Sequence, residues 1–557
     1  MLTLSLLLAV RAQDEPDRTA VEVAGGDSLT FGQWHDGAGR LAAGLLALGV
    51  LPGDRVALSF DDADWTAFAV AFCGVLAAGG VAVPLSSRMS AEAATRVLAH
   101  CGAVGVIHGG SPPPAPWAAT VPELSATRTA APVRVAPGDP AQILYTSGTT
   151  GSPKAVLACH ANLAHGWTAP RRQRPLAHSR HFVHGFPLGT NAAQTMLCNA
   201  LGAAPAGVMV PRAQPGELVA VVEKYRAGTV FLVPATAAEL AGLPVELPDV
   251  LLVGCTGAAL PPAVATALTT TFPNATVVNY YTSTEAAPAQ TTMVHDPARP
   301  TSVGRPTAGE LEIRGPDGRA LPAGEAGDVW LSSPTTARTY LDDPGASAAV
   351  FRNGWTRMGD VGRLDTDGYL HLVDRESDLV QVGGFKVATL GVESVLFDHP
   401  AVADAAVLGV PHPVLGTTVA AAVVVRTPVE PAELRAFVRS RLTEAEVPTR
   451  IVVVAELPRN DGGKVVKREL TDLFAAPGSV PLRTDSERAL GALWTEVLAA
   501  PEVTADANFF ALGGDSFRAA ELATAITREF GVEAATTLAF DHPDLAEQAA
   551  WLDGRLS

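Results

Sequence analysis

The chain has 557 residues, more than one ordinary core can organise, and at roughly 150 residues per domain it suggests three or four domains. Apolar residues make up 48% and mean hydropathy is +0.21, which excludes a largely disordered chain. Lys and Arg number 40 against 57 Asp and Glu, a net charge of -17 with no long basic run, so nucleic acid is not an expected partner.

The apolar start from Leu2 to Val10 has no basic residue before it, and Arg11, Asp14, Glu15 and Asp17 follow it, so it reads as an amphipathic first helix and not as a signal peptide. No other run has the length to span a bilayer, because Gly, Pro and charge interrupt the Ala-rich stretches. The five cysteines, Cys73, Cys101, Cys159, Cys198 and Cys255, lack CxxC or metal-ligand spacing, which predicts reduced, buried thiols and a cytoplasmic protein.

From about residue 20 to 370, β-branched runs alternate with Ala/Leu-rich helical stretches. The runs are Arg55 to Leu58, Val81 to Pro84, Val104 to His108, Gly207 to Val210, Thr229 to Val233 and Val250 to Val253. That alternation predicts a large α/β domain with mainly parallel sheets. From Gly368 to Val382 the strands become closely spaced. Val402 to Val425 supplies two more and Pro431 to Leu442 a helix, together a smaller α+β domain. Residues 475–481 (AAPGSVP) read as a linker. From Leu482 onward 13 acidic residues face five Arg and no Lys, so the chain is expected to turn helical and acidic there.

Tyr145 to Lys154 reads YTSGTTGSPK after the apolar Ile143 and Leu144. The hydroxyls of Thr146, Ser147, Thr149 and Thr150, with backbone N–H groups around Gly148 and Gly151, suit a polyphosphate, and Lys154 adds charge. The loop lacks the GK[ST] ending of a Walker A motif. Lys occurs only five times against 35 Arg, so Lys154 and Lys464 stand out as positions where a compact cation is selected.

At this point the chain resembles the adenylate-forming superfamily of acyl-CoA synthetases, luciferases and nonribosomal peptide synthetase adenylation domains, over nearly all of residues 1–475. Asn279 to Glu285 (NYYTSTE) is similar to the family's NxYGxTE segment. The resemblance assigns Tyr281 to adenine, Thr284 to phosphate and Glu285 to Mg²⁺, with Thr282 where the family usually has Gly. Gly354 to Asp360 (GWTRMGD) resembles GWxxTGD, and Asp374-Arg375 the family's DR step, which gives ribose to Asp360 and Arg375. The family hinge falls two residues later, here Ser377 in place of Asp or Lys. Leu457 to Leu470 (LPRNDGGKVVKREL) looks like the segment that carries the catalytic Lys, here Lys464, whose long stem brings one charge to two approaching anions. Lys467 reads as a solvated loop lysine.

Asn508 to Ser516 (NFFALGGDS) resembles the carrier-protein signature DxFFxLGGDS, whose Ser receives 4'-phosphopantetheine, with Asn508 in place of the usual Asp. Thr484 to Glu487 (TDSE) is a capping box opening a helix, and Leu522, Ile526 and Phe530 share a face of the helix after Ser516. In the family, the acid pocket includes the segment written here His184 to Gly189 (HGFPLG). Amino-acid-activating members usually place an Asp near its start; this chain has His184 followed by Gly185, with no carboxylate before Glu217. A buried ammonium without a counter-charge is costly. The expected substrate is a carboxylic acid lacking an α-amino group, aryl or short aliphatic, lined by His184, Gly185, Phe186, Gly189, Tyr280, Pro288 and Ala289.

The layout that the resemblance implies is a large adenylation part at 1–374, a small mobile part at 375–475 with the hinge near Ser377, a linker at 476–482 and an all-α four-helix carrier at 483–557. The expected cofactors are ATP, Mg²⁺ and 4'-phosphopantetheine on Ser516. The expected partners are the acid, a phosphopantetheinyl transferase and downstream biosynthetic enzymes docking on the acidic carrier. The alternatives are an amino-acid-activating didomain, an acyl-CoA ligase and a carrier scaffold with a decayed adenylation half.

Overall fold

A computed structural model describes residues 3–129, 131–146, 154–166, 173–211, 214–412, 416–474, 481–500, 503–505, 507–510 and 512–556. The apolar start forms helix Leu4–Asp14, with Thr3 as its cap and Leu4, Leu7 and Leu8 buried. Its Arg11 lies 4.0 Å over the Phe31 ring and donates to the carbonyls of Leu201 and Ala203 at 2.9 Å each. Arg11, Arg18 and Arg174 converge on the buried Glu15 carboxylate. The segment is therefore part of the core, which fits the expected helix.

The chain divides into two compact units, Met1–Leu372 with Asp461–Lys464, and Val373–Asn460 with Val465–Ser557. In the first unit, strands Thr19–Val23, Ala206–Met209, His181–His184, Thr229–Leu232, Leu252–Cys255 and Thr276–Tyr281 lie side by side in parallel. A second sheet places Gly105–His108, Arg55–Ser59, Val81–Pro84 and Pro140–Thr146 in parallel. Helix Trp65–Ala77 is apolar on all sides, and the core cluster around it includes Trp34, Leu41, Phe68, Phe72, Phe182 and Leu197.

Both sheets hold the expected parallel strands but are mixed, where mainly parallel sheets were expected. Pro140–Thr146 turns back as Lys154–Cys159, and Thr276–Tyr281 as Gln290–Val294, both antiparallel. Beyond these, Glu310–Arg314, Gly327–Ser332 and Trp355–Leu364 form an antiparallel group. Parallel βα units end at the carboxyl edge of their sheet, where α/β proteins form ligand crevices. Val233, Thr256, Gly257 and Tyr281 all lie at or just past that edge.

In the second unit, the hairpin of Val402–His412 and Gly416–Val425 with parallel Arg450–Val453 packs on helices Thr389–Phe397 and Pro431–Arg439. Among its described residues the same unit also holds helices Asp485–Leu498, Ser516–Phe530, Leu538–Asp541 and Leu545–Leu556, around Trp494, Phe509, Leu522, Ile526 and Leu545. All five cysteines are buried and free.

Candidate active site

The phosphate-loop motif connects the two strands of a hairpin in which Thr146 and Lys154 are register partners. Ser147, Gly148, Thr149, Thr150 and Gly151 lie outside the described residues. Lys154 places its ammonium 5.0 Å from the centroid of the Tyr340 ring, a cation–π distance. The Tyr340 hydroxyl donates to Glu285 Oε1 at 3.1 Å, and burial together with Glu285 pushes that phenol well above its usual range. Arg338, 5% exposed, donates from Nη1 to the Thr284 carbonyl at 2.8 Å. Burial pulls its guanidinium down to about 10 while Glu285 opposes that drop. Among the described residues Arg338 Nε has no hydrogen-bond partner. Lys154, Tyr340, Glu285, Thr284 and Arg338 therefore form one connected cluster.

Such a cluster fits a magnesium triphosphate. Mg²⁺ is commonly held by one or two carboxylates plus substrate phosphates, and Glu285 is a half-buried carboxylate that feels the Arg338 charge. The orphaned donor of Arg338 suits an anion. Beside this cluster the Tyr281 hydroxyl donates to Asp360 Oδ2 at 2.5 Å, with Asp360 only 7% exposed. Thr282 does not adopt left-handed backbone, and its hydroxyl donates to the Ala289 carbonyl at 2.7 Å. The turn thus accommodates a side chain where Gly was expected.

His184 ends its strand 2% exposed, with its ring 5.2 Å from Trp65, 6.1 Å from Phe182 and 5.7 Å from Phe186. Burial pulls its imidazole down to about 3. Phe186 and Ala289 are buried, while Gly185, Tyr280 and Pro288 are half-buried. A Cβ on Gly189 would come within 2.7 Å of the Ser86 backbone nitrogen, so the chain approaches too closely there for any side chain. Tyr280 packs 6.4 Å from Phe231.

Residues Asp461–Lys464 group with the first unit. Gly463 has φ +78°, and a Cβ there would press on Val233 at 3.1 Å; a Cβ on Gly257 would lie 3.2 Å from the Gly462 carbonyl oxygen. The Ser86 hydroxyl donates to the Asp461 carboxylate. The glycines beside Lys464 thus let its loop lie at the carboxyl edge of the parallel strands.

In the second unit Arg375 ends strand Leu370–Arg375, and its carbonyl accepts Asp378 N–H at 3.0 Å, closing the turn that contains Ser377. The Ser377 hydroxyl donates to Asp378 Oδ1 at 2.8 Å. Lys467 is not a solvated lysine. Its ammonium lies 2.8 Å from Glu393 and 3.6 Å from Asp378, and donates to Thr389 Oγ1 at 2.8 Å. The acids buried around it draw it inward.

At the carrier motif, Asp515 is the helix cap, accepting Arg518 N–H at 2.8 Å, so Ser516 is the exposed first residue of its helix and its hydroxyl is not spent on capping. The two glycines have different reasons. Gly513 has φ +91°, and a Cβ on Gly514 would overlap the Phe509 ring at 2.3 Å. Asn508 donates from its amide to Asp544 Oδ1 at 2.8 Å. The expected Asp would set two carboxylates against each other there.

Residues 8–341 match the family of AMP-binding enzymes, 391–464 the AMP-binding enzyme C-terminal domain, and 488–552 the phosphopantetheine attachment site. The chain belongs to the AMP-binding enzymes. It is 33% identical over 491 residues to a feruloyl-CoA synthase from an Amycolatopsis species, covering 83% of this chain and 97% of that protein. Phosphinothricin tripeptide synthetase PhsC of Streptomyces viridochromogenes is 31% identical over 98% of this chain and 52% of its own length. Among solved structures, amide bond synthetase McbA from Marinactinospora thermotolerans superposes with a TM-score of 0.74 at 30% identity, covering 85% of this chain and all of McbA. This AMP-binding enzyme is thus an adenylate-forming ligase with a helical carrier domain, using ATP and 4'-phosphopantetheine, with Mg²⁺ typical of the family. Among the described residues no helix is long and apolar enough to cross a membrane.

Sequence reasoning missed three members of this neighbourhood. Arg338 and Tyr340 meet Thr284 and Glu285 only through folding across 54 and 55 residues. Asp62, 126 residues from Leu188, accepts its N–H at 2.9 Å, so a carboxylate does reach the HGFPLG segment. Burial pushes the Asp62 carboxyl up, against the Leu188 hydrogen bond and the Arg88 charge.

Proposed function

We propose that this enzyme activates a carboxylic acid lacking an α-amino group, aryl or short aliphatic, and loads it as a thioester on the arm of its own Ser516, within a natural-product pathway. In this reading Tyr281, Asp360 and Arg375 hold the nucleoside, and Thr146–Lys154 with Thr284 hold the phosphates. Glu285 would hold Mg²⁺, which supplies charge neutralisation for the triphosphate. The substrate carboxylate attacks the α-phosphorus and the bond to the pyrophosphate oxygen breaks. Lys464, on its loop at the strand edge, stabilises both anions. Thiol attack on the acyl carbon then releases AMP.

The observation that carries the reading is that an adenylating constellation and a carrier with an exposed, uncapped Ser516 occupy one chain. A tethered thiol has an effective concentration on the order of mM, which favours loading in place of release to free CoA. The layout of a large part, a small part with its turn at Ser377, a linker and a carrier supports an alternation between the two half-reactions, with a phosphopantetheinyl transferase and downstream enzymes as the carrier's partners. A second reading, activation of an α-amino acid, is favoured by Asp62 at Leu188. Pyrophosphate exchange across matched acids and α-amino acids, followed by intact-mass measurement of the loaded carrier, tests the proposal. Exchange with no mass gain on Ser516 overturns self-loading, and exchange restricted to amino acids overturns the substrate class.

A further inference from the structure

Helix Pro431–Arg439 reads PAELRAFVR, so Arg435 and Arg439 are four residues apart and share a face. Arg435 is 1% exposed, and a guanidinium is rarely buried to that degree unless it is fully paired. Its hydrogen-bond partners lie more than 100 residues away in the carrier. Nε and Nη2 donate to the Asp541 carbonyl at 3.1 and 2.9 Å, and Nη2 donates to Glu547 Oε2 at 2.5 Å. Arg439 donates to the Phe540 carbonyl at 3.2 Å and to the Asp541 carboxylate, and is held from its own side by Glu444 at 3.0 Å.

Phe540 and Asp541 end the short helix Leu538–Asp541. The carbonyls at a helix end lack intrahelical donors and carry partial negative charge, so cations there satisfy both needs. Glu547 opens the following helix, and burial pushes its carboxyl upward while Arg435 opposes the rise. The grip thus combines two carbonyls with two carboxylates, a pattern that Lys could not match with its single charged tip. Ser516 stands outside it, on a different helix, exposed.

We propose that Arg435 and Arg439 form a dock for the carrier's 540–547 segment, so that the carrier is held to the small adenylation subdomain and the two travel as one body while Ser516 stays accessible. The dock depends on the carrier assignment and not on which acid is activated. Its partner is defined by chemistry: a helix C-terminus followed by two carboxylates, here supplied by the same chain.

R439K in the full-length protein places an amine at the dock, and a carbodiimide then joins it to a neighbouring carboxylate as an amide, with loss of water. Peptide mapping should find a link to Asp541 beside the link to Glu444 within the subdomain. R439K/D541N should keep only the Glu444 link. Finding the Glu444 link alone in R439K overturns the dock. Independently, D541N/E547Q should speed amide exchange in residues 431–439 and 541–548 by about tenfold, with pyrophosphate exchange and protection of strands Val402–His412 and Gly416–Val425 unchanged. Unchanged exchange in 431–439 overturns it as well.

Discussion

The Tyr281 hydroxyl donates to the Asp360 carboxylate at 2.5 Å, joining the residue that the motifs assign to adenine with the one they assign to ribose. The two residues lie 79 positions apart on different strands, and the bond fixes the rotamer of each before any nucleotide arrives. Tyr281→Phe keeps the ring and removes the donor. It should raise KM for ATP by roughly tenfold with a smaller change in kcat, since a hydrogen bond to a charged group contributes about 1.5–3 kcal/mol. A variant that lost kcat alone, at unchanged KM, would place Tyr281 in the chemical step.

Glu285 is held by Tyr340, and Thr284 by Arg338. Tyr340→Phe should shift the Mg²⁺ dependence of pyrophosphate exchange to higher concentration by several-fold, because an outer partner that orients a ligand tunes its affinity on the order of 10-fold. Arg338→Met removes a buried cation that lacks a full set of partners, so the fold should tolerate it while exchange falls by at least about tenfold. Melting temperature and Mg²⁺ titration measured together separate these outcomes; a large loss of stability with normal Mg²⁺ dependence would make Arg338 purely structural.

The predicted parallel strands agree with the observed ones within about two residues because each is a short, continuous β-branched run, buried on both faces. The antiparallel group at Glu310–Arg314, Gly327–Ser332 and Trp355–Leu364 was not legible. Its strands mix buried, half-buried and exposed residues without one regular pattern, and the helix described between the last two, Pro344–Val350, is only seven residues long. Motifs located Tyr281, Glu285 and Asp360 because their chemistry lies in contiguous residues. Arg338 and Asp62 carry no local signature; chain reversal alone brings them to Thr284 and Leu188.

Glu15 gives a pH signature. Burial would raise its carboxyl, but hydrogen bonds from Arg174 and Arg18 and the charges of Arg11 and Arg174 overcome this and lower it from 4.5 to about 2. The folded state therefore binds that proton less readily than the unfolded chain. The stabilisation is complete above pH 4.5 and is lost as pH falls from there toward 2, a contribution of roughly 3 kcal/mol. Glu15→Gln should lower stability at pH 7 and flatten the acid limb of the unfolding curve over that window. An acid limb identical to wild type would mean that other carboxylates govern it.

Lys464→Ala should abolish formation of the acyl-adenylate, a loss of at least 10²–10³, yet leave transfer from a supplied adenylate to the pantetheine thiol largely intact. In the proposed function Lys464 stabilises anions that exist only in the first half-reaction. Equal loss in both halves would show that one arrangement of the site serves both. Ser516→Ala should do the reverse, sustaining pyrophosphate exchange while intact mass shows no loading.

In the proposed pocket, specificity turns on what faces the acid's α-carbon. His184 is enclosed by aromatic rings and held neutral by burial, and Gly185 and Gly189 offer no charge. Desolvating an ammonium there should cost several kcal/mol more than burying a neutral group. A des-amino acid should then exceed its α-amino counterpart by two or more orders of magnitude in kcat/KM, since about 1.4 kcal/mol is tenfold. Gly185→Asp should narrow that gap and harm activation of the native acid. Asp62 is the carboxylate that could reverse this preference, because it accepts the Leu188 N–H beside Gly189. In the des-amino reading Asp62 only anchors the segment, so Asp62→Asn, which can still accept that N–H, should leave kcat/KM for the acid within about threefold and improve no amino acid. A fall of about 100-fold in Asp62→Asn, confined to α-amino substrates that the wild type activates well, would make Asp62 the counter-charge and the enzyme an amino-acid ligase.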